Sequence, residues 1–447
     1  MTEADYRLIA SAVLGIALSI ALIIRGKLHP FVALLCGAFA VGLLSGLGTA
    51  DTAKAVQKGA GDILGGTGLV VALGLALGAM LQLSDGAAAL ARAGLRWSGA
   101  AGAPWASLLV ALLIGLPLFF ETGLVLLLPI VATAATSLPG VRSDEARLRL
   151  LLPALAGLSV VHALVPPHPG PLLAVDTLGA NLGLTIGYGL LVGLPTAIIA
   201  GPLLARFTAR GVVLGEPAIA PERLDVPPPP IWRALAVVLM PVVLIAAGQV
   251  QALLPTRIAP NFAWAAAAGN PILALLIACV LALPLLFGHR IGSARVQEAI
   301  WRETMLPAGG ILLAIGAGGA LKQVLVSGGL SDLLVRVAAN GAVPPLLLAW
   351  GIAVAIRLAT GSATVATITA AGVMPGLVAA TGVSPEWTVL AIGAGSLFFS
   401  HVNDPGFWLV KSYLGTNMKD TFRTWSLMET VVSVTGLLFA LLGSHLL

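Results

Sequence analysis

Long apolar runs, separated by short loops that hold most of the charges, dominate this 447-residue sequence. Hydrophobic residues make up 58% of the chain and charged residues only 10%, whereas an ordinary soluble domain has roughly 25% charged residues. So few charges cannot cover a water-exposed surface. The mean hydropathy of +1.01 and the 53 glycines are typical of helices packed closely in lipid. We therefore predict a multi-pass membrane protein.

Ten apolar runs are long enough to cross a bilayer, which takes about 20 helical residues. The first run, Leu8 to Ile24, is followed by Arg25 and Lys27 and lacks a small-residue cleavage site, so we interpret it as a retained span and not as a signal peptide. The predicted spans are residues 7–25, 30–48, 65–84, 148–178, 184–205, 232–254, 270–288, 305–326, 386–414 and 424–446.

Two further apolar stretches, 104–138 and 343–380, are interrupted halfway by small and polar residues. Each arm holds about 14 residues, which as a helix extend roughly 21 Å. This length is too short to cross a hydrocarbon core of about 30 Å. We therefore predict that both stretches are re-entrant helical hairpins, with tips at Glu121-Thr122-Gly123 and Thr360-Gly361-Ser362.

Short sequence matches recur between the two halves of the chain at a nearly constant separation. Pro169-Gly170 precedes Pro405-Gly406 by 236 residues, and Leu178-Gly179 precedes Leu414-Gly415 by the same interval. Such a regular separation indicates an internal duplication. Each half has an odd number of crossings plus a hairpin, so the second half is expected to be inverted relative to the first.

The predicted fold is an all-α polytopic membrane protein with two inverted-topology repeats. Each repeat has about five transmembrane helices, one of them broken, and one re-entrant hairpin. The first repeat covers residues 1–205, with the hairpin 104–138 and the broken helix 148–178. A proline-rich cytoplasmic linker covers 206–231, and the second repeat covers 232–447, with the hairpin 343–380 and the broken helix 386–414.

The lysines and arginines predict the orientation of the chain. With the N-terminus outside, 17 of them lie in inner loops and 6 on the outer side, and Arg357 is left inside the membrane. We therefore predict that both termini lie outside. Topology thus explains the net charge of +5, and we expect no nucleic-acid partner. Cys36 and Cys279 stand singly in apolar runs, so we interpret them as packing residues and predict neither a metal nor a cofactor.

Two of the predicted spans are broken in the middle by proline. The first break reads Val165-Pro166-Pro167-His168-Pro169-Gly170-Pro171, and the second reads Ser400-His401-Val402-Asn403-Asp404-Pro405-Gly406. Proline cannot continue a helix, because it lacks the N–H group and its ring clashes with the preceding turn. Freed backbone groups are costly in lipid, so such breaks persist only against protein or a water-filled cavity. We predict that the breaks and the hairpin tips form the functional site.

Helix starts inside the membrane favour an anionic ligand, because their free N–H groups carry about half a positive charge. Thr122-Gly123 and Thr360-Gly361-Ser362 each precede an apolar arm. A hydroxyl there can cap the helix, and glycine lets a ligand approach the backbone. The alternative is that these hydroxyls only cap short helices.

Charged and titratable side chains cluster at the same tips and breaks. Arg357 could hold a carboxylate through its planar fork, or it could form an internal ion pair, for example with Glu121. Charges deep in a bilayer are candidates for function because their burial is costly. Histidine titrates near neutral pH and can carry a proton, or it can serve only as a structural hydrogen-bonding group. The remaining candidates of this kind are His162, His168, His401 and Asp404.

Three segments resemble the signature segments of the gluconate permease family. They are Val165 to Pro171, Arg357 to Ala366 and Ser400 to Trp408, and Thr424-Trp425-Ser426 with Glu429-Thr430 is similar to the family's last span. The resemblance runs from the first span to the C-terminus. It implies a proton symporter for gluconate or a related sugar acid, in a larger transporter group of inverted repeats with two hairpins. That group is typically dimeric and works by an elevator movement.

From the residues and the resemblance together, we predict proton-coupled uptake of a small, gluconate-like organic anion across the bacterial inner membrane. We expect a homodimer in the lipid bilayer. The predicted proton-coupling residues are Asp404, His401 and His162. The predicted substrate-binding residues are Glu121, Thr122, Gly123, His168, Pro169, Gly170, Arg357, Thr360, Gly361, Ser362, Thr364 and Asn403.

Two alternative functions fit parts of the sequence. One is a sodium-coupled carboxylate or D-serine-type carrier, since unwound carbonyls beside Asn403 could hold sodium. The other is an intramembrane hydrolase that uses Asp404 with His401. Against the hydrolase, the sequence has neither a Gly-x-Ser-x-Gly elbow nor a His-Glu-x-x-His motif.

Overall fold

Helices account for all the regular secondary structure in the described part of the chain, as predicted. A computed structural model describes residues 3–116, 120, 123–124, 127–128, 131–132, 143–215, 227–252, 262–330, 332–333, 336, 343–401 and 404–446.

The first half of the chain contains seven described helices. Its last helix continues through a π-helical turn, Ile199–Leu203, into a final turn, Leu204–Thr208. The helices are α1 Glu3–Ile24, α2 Pro30–Ser45, α3 Thr49–Leu83, α4 Gly86–Gly115, α5 Asp144–Leu164, α6 Pro169–Leu178 and α7 Leu182–Ile198.

The described helices of the second half follow a similar order. The last of them is preceded by Met418–Thr421 and a π-helical turn, Phe422–Ser426. The helices are α8 Ile231–Ala252, α9 Ala263–Ala268, α10 Pro271–Phe287, α11 Ala294–Ser327, α12 Pro345–Thr360, α13 Ala363–Val373, α14 Pro375–Thr381, α15 Pro385–Gly395, α16 Pro405–Leu414 and α17 Leu427–Leu446.

Two helices begin well before the predicted spans. The span expected at 65–84 is the end of α3, which starts at Thr49, and the span expected at 305–326 is the end of α11, which starts at Ala294. The additional turns carry charges on an exposed face, such as the Lys58–Asp62 ion pair of 2.5 Å in α3. The predicted spans were chosen by hydropathy alone and therefore left out these polar turns. The turns are nevertheless helical, since i,i+4 ion pairs support a helix.

Helices α3 and α11 lie against each other along much of their length. Their backbones meet at Gly59 and Gly319, where a Cβ atom on Gly59 would lie 2.2 Å from the Gly319 carbonyl oxygen. Any larger residue at this crossing would force the helices apart. The pair joins one long helix from each half of the chain.

Several predicted crossings consist of short helices. In the described residues, seven helical segments are long and apolar enough to span a membrane, and up to nine if each bent pair is counted once. Helix α2 has 16 residues, and the predicted span 386–414 consists of α15 and α16, with 11 and 10 residues. The number of ten membrane crossings and the orientation of the chain in the membrane both stay predictions.

The second predicted hairpin has the expected shape of two helices joined by a tight turn. Helix α12 ends at Thr360, Gly361 adopts a left-handed conformation at φ +69°, and α13 starts at Ala363. For the first hairpin, α4 runs up to Gly115 with an irregular Gly99. Most of 117–142 lies outside the described residues. Re-entry of either stretch into a membrane stays a prediction.

The two broken spans share a local plan at the predicted interval. Helices α6 and α16 both start with proline and both end at a left-handed glycine, Gly179 and Gly415. Proline is favoured at the first position of a helix and glycine just past its end. In each half an asparagine, Asn181 or Asn417, caps the next helix through its side chain. This correspondence agrees with the predicted duplication, and both the duplication and the inverted orientation of the repeats stay predictions.

Candidate functional site

A cavity of about 240 Å³ lies between the tip of the second hairpin, the second break and the last helix. Its walls combine apolar and polar side chains, as in sites for small ligands. The lining residues from the first half are His29, Leu34, Phe120, Ser159 and His162. Those from the second half are Gly310, Ile315, Arg357, Thr360, Gly361, Ser362, Ala363, Thr364, Val365, Leu397, Asp404, Pro405, Gly406, Trp425 and Glu429.

The start of α13 faces this cavity and is capped by a neutral side chain. Ser362 Oγ accepts a hydrogen bond of 3.3 Å from the Val365 N–H group. The first N–H groups of a helix have no partner within the helix, which leaves those of Ala363 and Thr364 available at the cavity wall. This end of α13 therefore offers positive partial charge to an anion.

Arg357 and Asp404 form an ion pair that joins the hairpin tip to the second break. Their side chains are only 4% and 9% exposed. Arg357 also donates a 2.8 Å hydrogen bond from Nη1 to the carbonyl oxygen of Gly361. Removing one partner of a buried pair typically costs about 3–5 kcal/mol, because the other charge stays buried. The pair thus fixes the hairpin tip against the break.

Three hydrogen-bond donors contact the carboxylate of Asp404. Besides Arg357, it accepts a hydrogen bond from the Ser400 hydroxyl and one of 2.7 Å from the Gly406 N–H group. Trp425 Nε1 donates to Ser400 Oγ at 2.7 Å, which ties the break to the last helix. Asp404 is also the N-cap of α16, because its side chain accepts from the Gly406 N–H group at the start of that helix.

The first break is closed by packing. His168 Nε2 is 2.7 Å from the Gly115 carbonyl oxygen, so the ring donates to the end of α4. Together with Pro167 and Pro169, His168 borders a separate cavity of only about 10 Å³. A Cβ atom on Gly170 would contact Thr367 at 3.4 Å, so α6 lies against α13 at this position.

Comparison with known proteins identifies the family. A family model described as "GntP family permease" matches residues 7–446 of the chain. The chain belongs to this family. It is therefore a multi-pass membrane transporter and not an enzyme, and the intramembrane hydrolase alternative is wrong.

Relatives of this permease are similar over almost their whole length. The gluconate permease of Pseudomonas aeruginosa is 44% identical, with 99% of each chain covered. A high-affinity gluconate transporter of Escherichia coli is 38% identical over 96% of this chain and 97% of its own. The Gnt-II system L-idonate transporter of Escherichia coli is 36% identical over 95% of this chain and 96% of its own.

A solved structure has a similar fold. The crystal structure of the Alcanivorax borkumensis YdaH transporter aligns with a TM-score of 0.60 over 94% of this chain and 98% of that chain. The two sequences are 18% identical, so the likeness concerns the fold alone. It supports the all-helical transporter fold of the permease.

The structure brings only part of the predicted site together. Arg357, Thr360, Gly361, Ser362, Thr364, Asp404 and His162 all border the large cavity. His168, Pro169 and Gly170 do not border it, and Gly123 packs against Leu158. His401 is half-buried, hydrogen-bonds the Leu358 backbone and also lies away from the cavity. Glu121, Thr122 and Asn403 lie outside the described residues.

Sequence reasoning missed four polar side chains at the site, namely Ser159, Ser400, Trp425 and Glu429. Glu429 carried a signal, since it is an acidic residue inside an apolar run of transmembrane length. Arg357 and Asp404 were selected because charges buried in a membrane indicate function. The same rule applies to Glu429. The serines and the tryptophan carried no such signal, because these residue types are ordinary in membrane helices.

Proposed function

We propose that this permease carries gluconate or a closely related sugar acid into the cell across the bacterial inner membrane, together with a proton. The relatives support the substrate class, because a gluconate permease, a gluconate transporter and an idonate transporter are similar to this permease over nearly the whole chain. The observation that carries the proposal is the cavity at the start of α13, where open N–H groups adjoin Arg357.

The cavity suits one carboxylate and several hydroxyls. The start of α13 would hold the carboxylate through the N–H groups of Ala363 and Thr364. Arg357 has five N–H donors, so it can contact the same carboxylate while it stays bonded to Asp404 and Gly361. The hydroxyls of Ser159 and Thr364 would receive the sugar hydroxyls. Phe120 and Trp425, stacked at 5.3 Å, form an apolar wall.

Transport in proteoliposomes tests this proposal. Purified permease would be reconstituted, and uptake of radiolabelled gluconate measured with the pH gradient and the sodium gradient varied independently. We expect accumulation with an inward proton gradient and no response to sodium. Accumulation driven by sodium alone at equal pH would instead support the sodium-coupled alternative. Unlabelled idonate and other sugar acids, added as competitors, would rank the substrates.

We also propose a homodimer and an elevator movement, both of which follow from the resemblance to the family. The paired helices α3 and α11 would form part of the static scaffold, and the second hairpin with the breaks would carry the substrate. Mass photometry of the purified permease in detergent would measure the assembly. A monomer that transports at the full rate would contradict the dimer.

A further inference from the structure

Glu429 is a buried carboxyl group at the cavity that has an unsatisfied oxygen. It lies in the first turn of α17 and is 1% exposed. Among the described residues, Glu429 Oε1 has no hydrogen-bond partner. The Ser159 hydroxyl, on α5, is buried beside the Glu429 carboxyl group. Buried polar atoms are nearly always paired in native structures, so an unpaired carboxyl oxygen at a cavity indicates a role beyond packing.

The charged groups around Glu429 cancel one another. The charges of Arg357 and Asp404 act on Glu429 from the hairpin tip and the break, and these two residues neutralise each other as an ion pair. The titratable side chains of the first half at this cavity are His29 and His162, and the buried Nδ1 of His162 has no partner in the described structure. The protonation state of Glu429 therefore decides the net charge around the ligand position.

Glu429 and Asp404 differ in the hydrogen bonds that their carboxyl oxygens make. Three donors, among them a guanidinium, contact Asp404 and bond to both of its oxygens. Glu429 Oε1 has no donor in the described structure, so a proton can be added there without the loss of an existing hydrogen bond. The approach of a second carboxylate to the same cavity would favour this protonation through repulsion between like charges.

We infer that Glu429, and not Asp404, is the carboxyl group that takes up the coupled proton when the anionic substrate binds. The inference rests on the proposed function. In the empty state the cavity would hold the Arg357–Asp404 pair and an ionised Glu429. In the loaded state, the proton on Glu429 would offset the charge of the substrate carboxylate, so that the net charge of the cavity is the same in both states. This balance gives a physical reason for coupling one proton to one monoanion.

Proton uptake on substrate binding tests this assignment directly. Detergent-solubilised permease in weak buffer would be mixed with gluconate, and a pH dye would report the protons taken up per gluconate bound, with binding measured by calorimetry. We expect about one proton per gluconate for the wild type and a decrease of about tenfold for Glu429→Gln. Glu298→Gln, which removes an exposed acidic residue on α11, should behave as the wild type.

Accumulation in proteoliposomes gives a second measurement. Under a proton gradient, liposomes that contain the Glu429→Gln variant should take up labelled gluconate only until its concentrations inside and outside are equal. This result should hold whatever the rate at which the variant exchanges gluconate. Glu429→Asp keeps a titratable group and should restore part of the accumulation. If Glu429→Gln takes up protons and accumulates gluconate like the wild type, the assignment fails. If the wild type itself takes up no protons, the proposed proton coupling fails instead.

Chemical labelling of the wild-type permease keeps the assignment testable if Glu429→Gln does not fold or bind. A hydrophobic carbodiimide modifies protonated carboxyl groups in apolar surroundings, and peptide mass spectrometry locates the product. We expect modification at Glu429, increased by gluconate, and none at Asp404. Modification at Asp404 with Glu429 unmodified would overturn the inference.

Discussion

The two broken spans share a local helix plan but differ in what their breaks do. The first break, around Pro166 and Pro167, is packed shut, and His168 donates to the Gly115 carbonyl. The second break borders the large cavity, and Asp404 joins it to Arg357 of the hairpin tip. Two breaks with a similar helix plan thus recur in the chain, and the side chains around each break decide whether it supports the fold or borders the cavity.

Glycines at helix contacts contribute to the closure of the first break. A Cβ atom on Gly189 would lie 2.3 Å from the Leu164 carbonyl oxygen, and one on Gly393 would lie 2.2 Å from that of Ala163. Helices α7 and α15 therefore approach the end of α5 closely from two sides. This approach leaves no room for a ligand, whereas the second break has a buried ion pair at the edge of an open cavity.

The largest expected effect follows from removal of the positive charge at the tip of the second hairpin. Arg357→Gln should weaken gluconate binding by about 100-fold or more, because Asp404 would remain buried without its partner and repel the anion. Arg357→Lys should restore binding only in part, since a lysine lacks the planar fork. Isothermal titration of the detergent-solubilised variants would measure the affinities.

Arg336→Gln is the matched control for Arg357→Gln. It removes an arginine that pairs with Asp5 at a more exposed position, where the Arg336 side chain is 56% exposed. We expect its affinity for gluconate to be unchanged. Wild-type affinity in Arg357→Gln would show that the ion pair is only structural.

The closed first break predicts an effect on stability. Gly189→Ala should lower the free energy of unfolding by about 1–3 kcal/mol, because the new methyl group would clash with the Leu164 carbonyl. Gly187→Ala, two residues away on the same helix, meets nothing within 4 Å and should be neutral or stabilising. Thermal unfolding in detergent would compare the two. Equal melting temperatures would contradict close packing around the first break.

The cap of α13 should contribute a smaller amount to binding. Ser362→Ala removes the hydroxyl that accepts from the Val365 N–H group, and caps of this kind are worth about 1 kcal/mol. We expect gluconate affinity to fall by about fivefold.

Thr369→Val is the matched control within the same helix. The Thr369 hydroxyl is buried without a partner in the described structure, so its loss should leave binding unchanged and stability equal or higher. If Ser362→Ala and Thr369→Val lost affinity equally, the cap of α13 would have no specific role in gluconate binding.

The smallest expected effect concerns the histidine of the first break. His168→Gln should change gluconate affinity by less than about twofold, because an amide can still donate to the Gly115 carbonyl and the side chain does not border the large cavity. Competition with labelled gluconate would measure the affinity. A loss as large as that of Ser362→Ala would mean that both breaks hold the substrate.

The sequence by itself determined the class of fold and the places where helices stop. Apolar runs of membrane length specify the spans, and proline and glycine end helices for local chemical reasons, so the breaks at 165–168 and before Pro405 and the tip at Gly361 could be predicted. Arg357 and Asp404 could be selected as candidates, because any charge in an apolar run must be compensated.

Only the tertiary structure decided which of these groups meet. The partner of Arg357 is Asp404, 47 residues away, and that of His168 is Gly115, 53 residues away. The unpaired oxygen of Glu429 likewise depends on what the neighbouring helices place beside it. Each of these relations is set by the packing of helices that are distant in the chain. Local sequence signals act over one helical turn, so they place a charge on a helix but do not choose its partner.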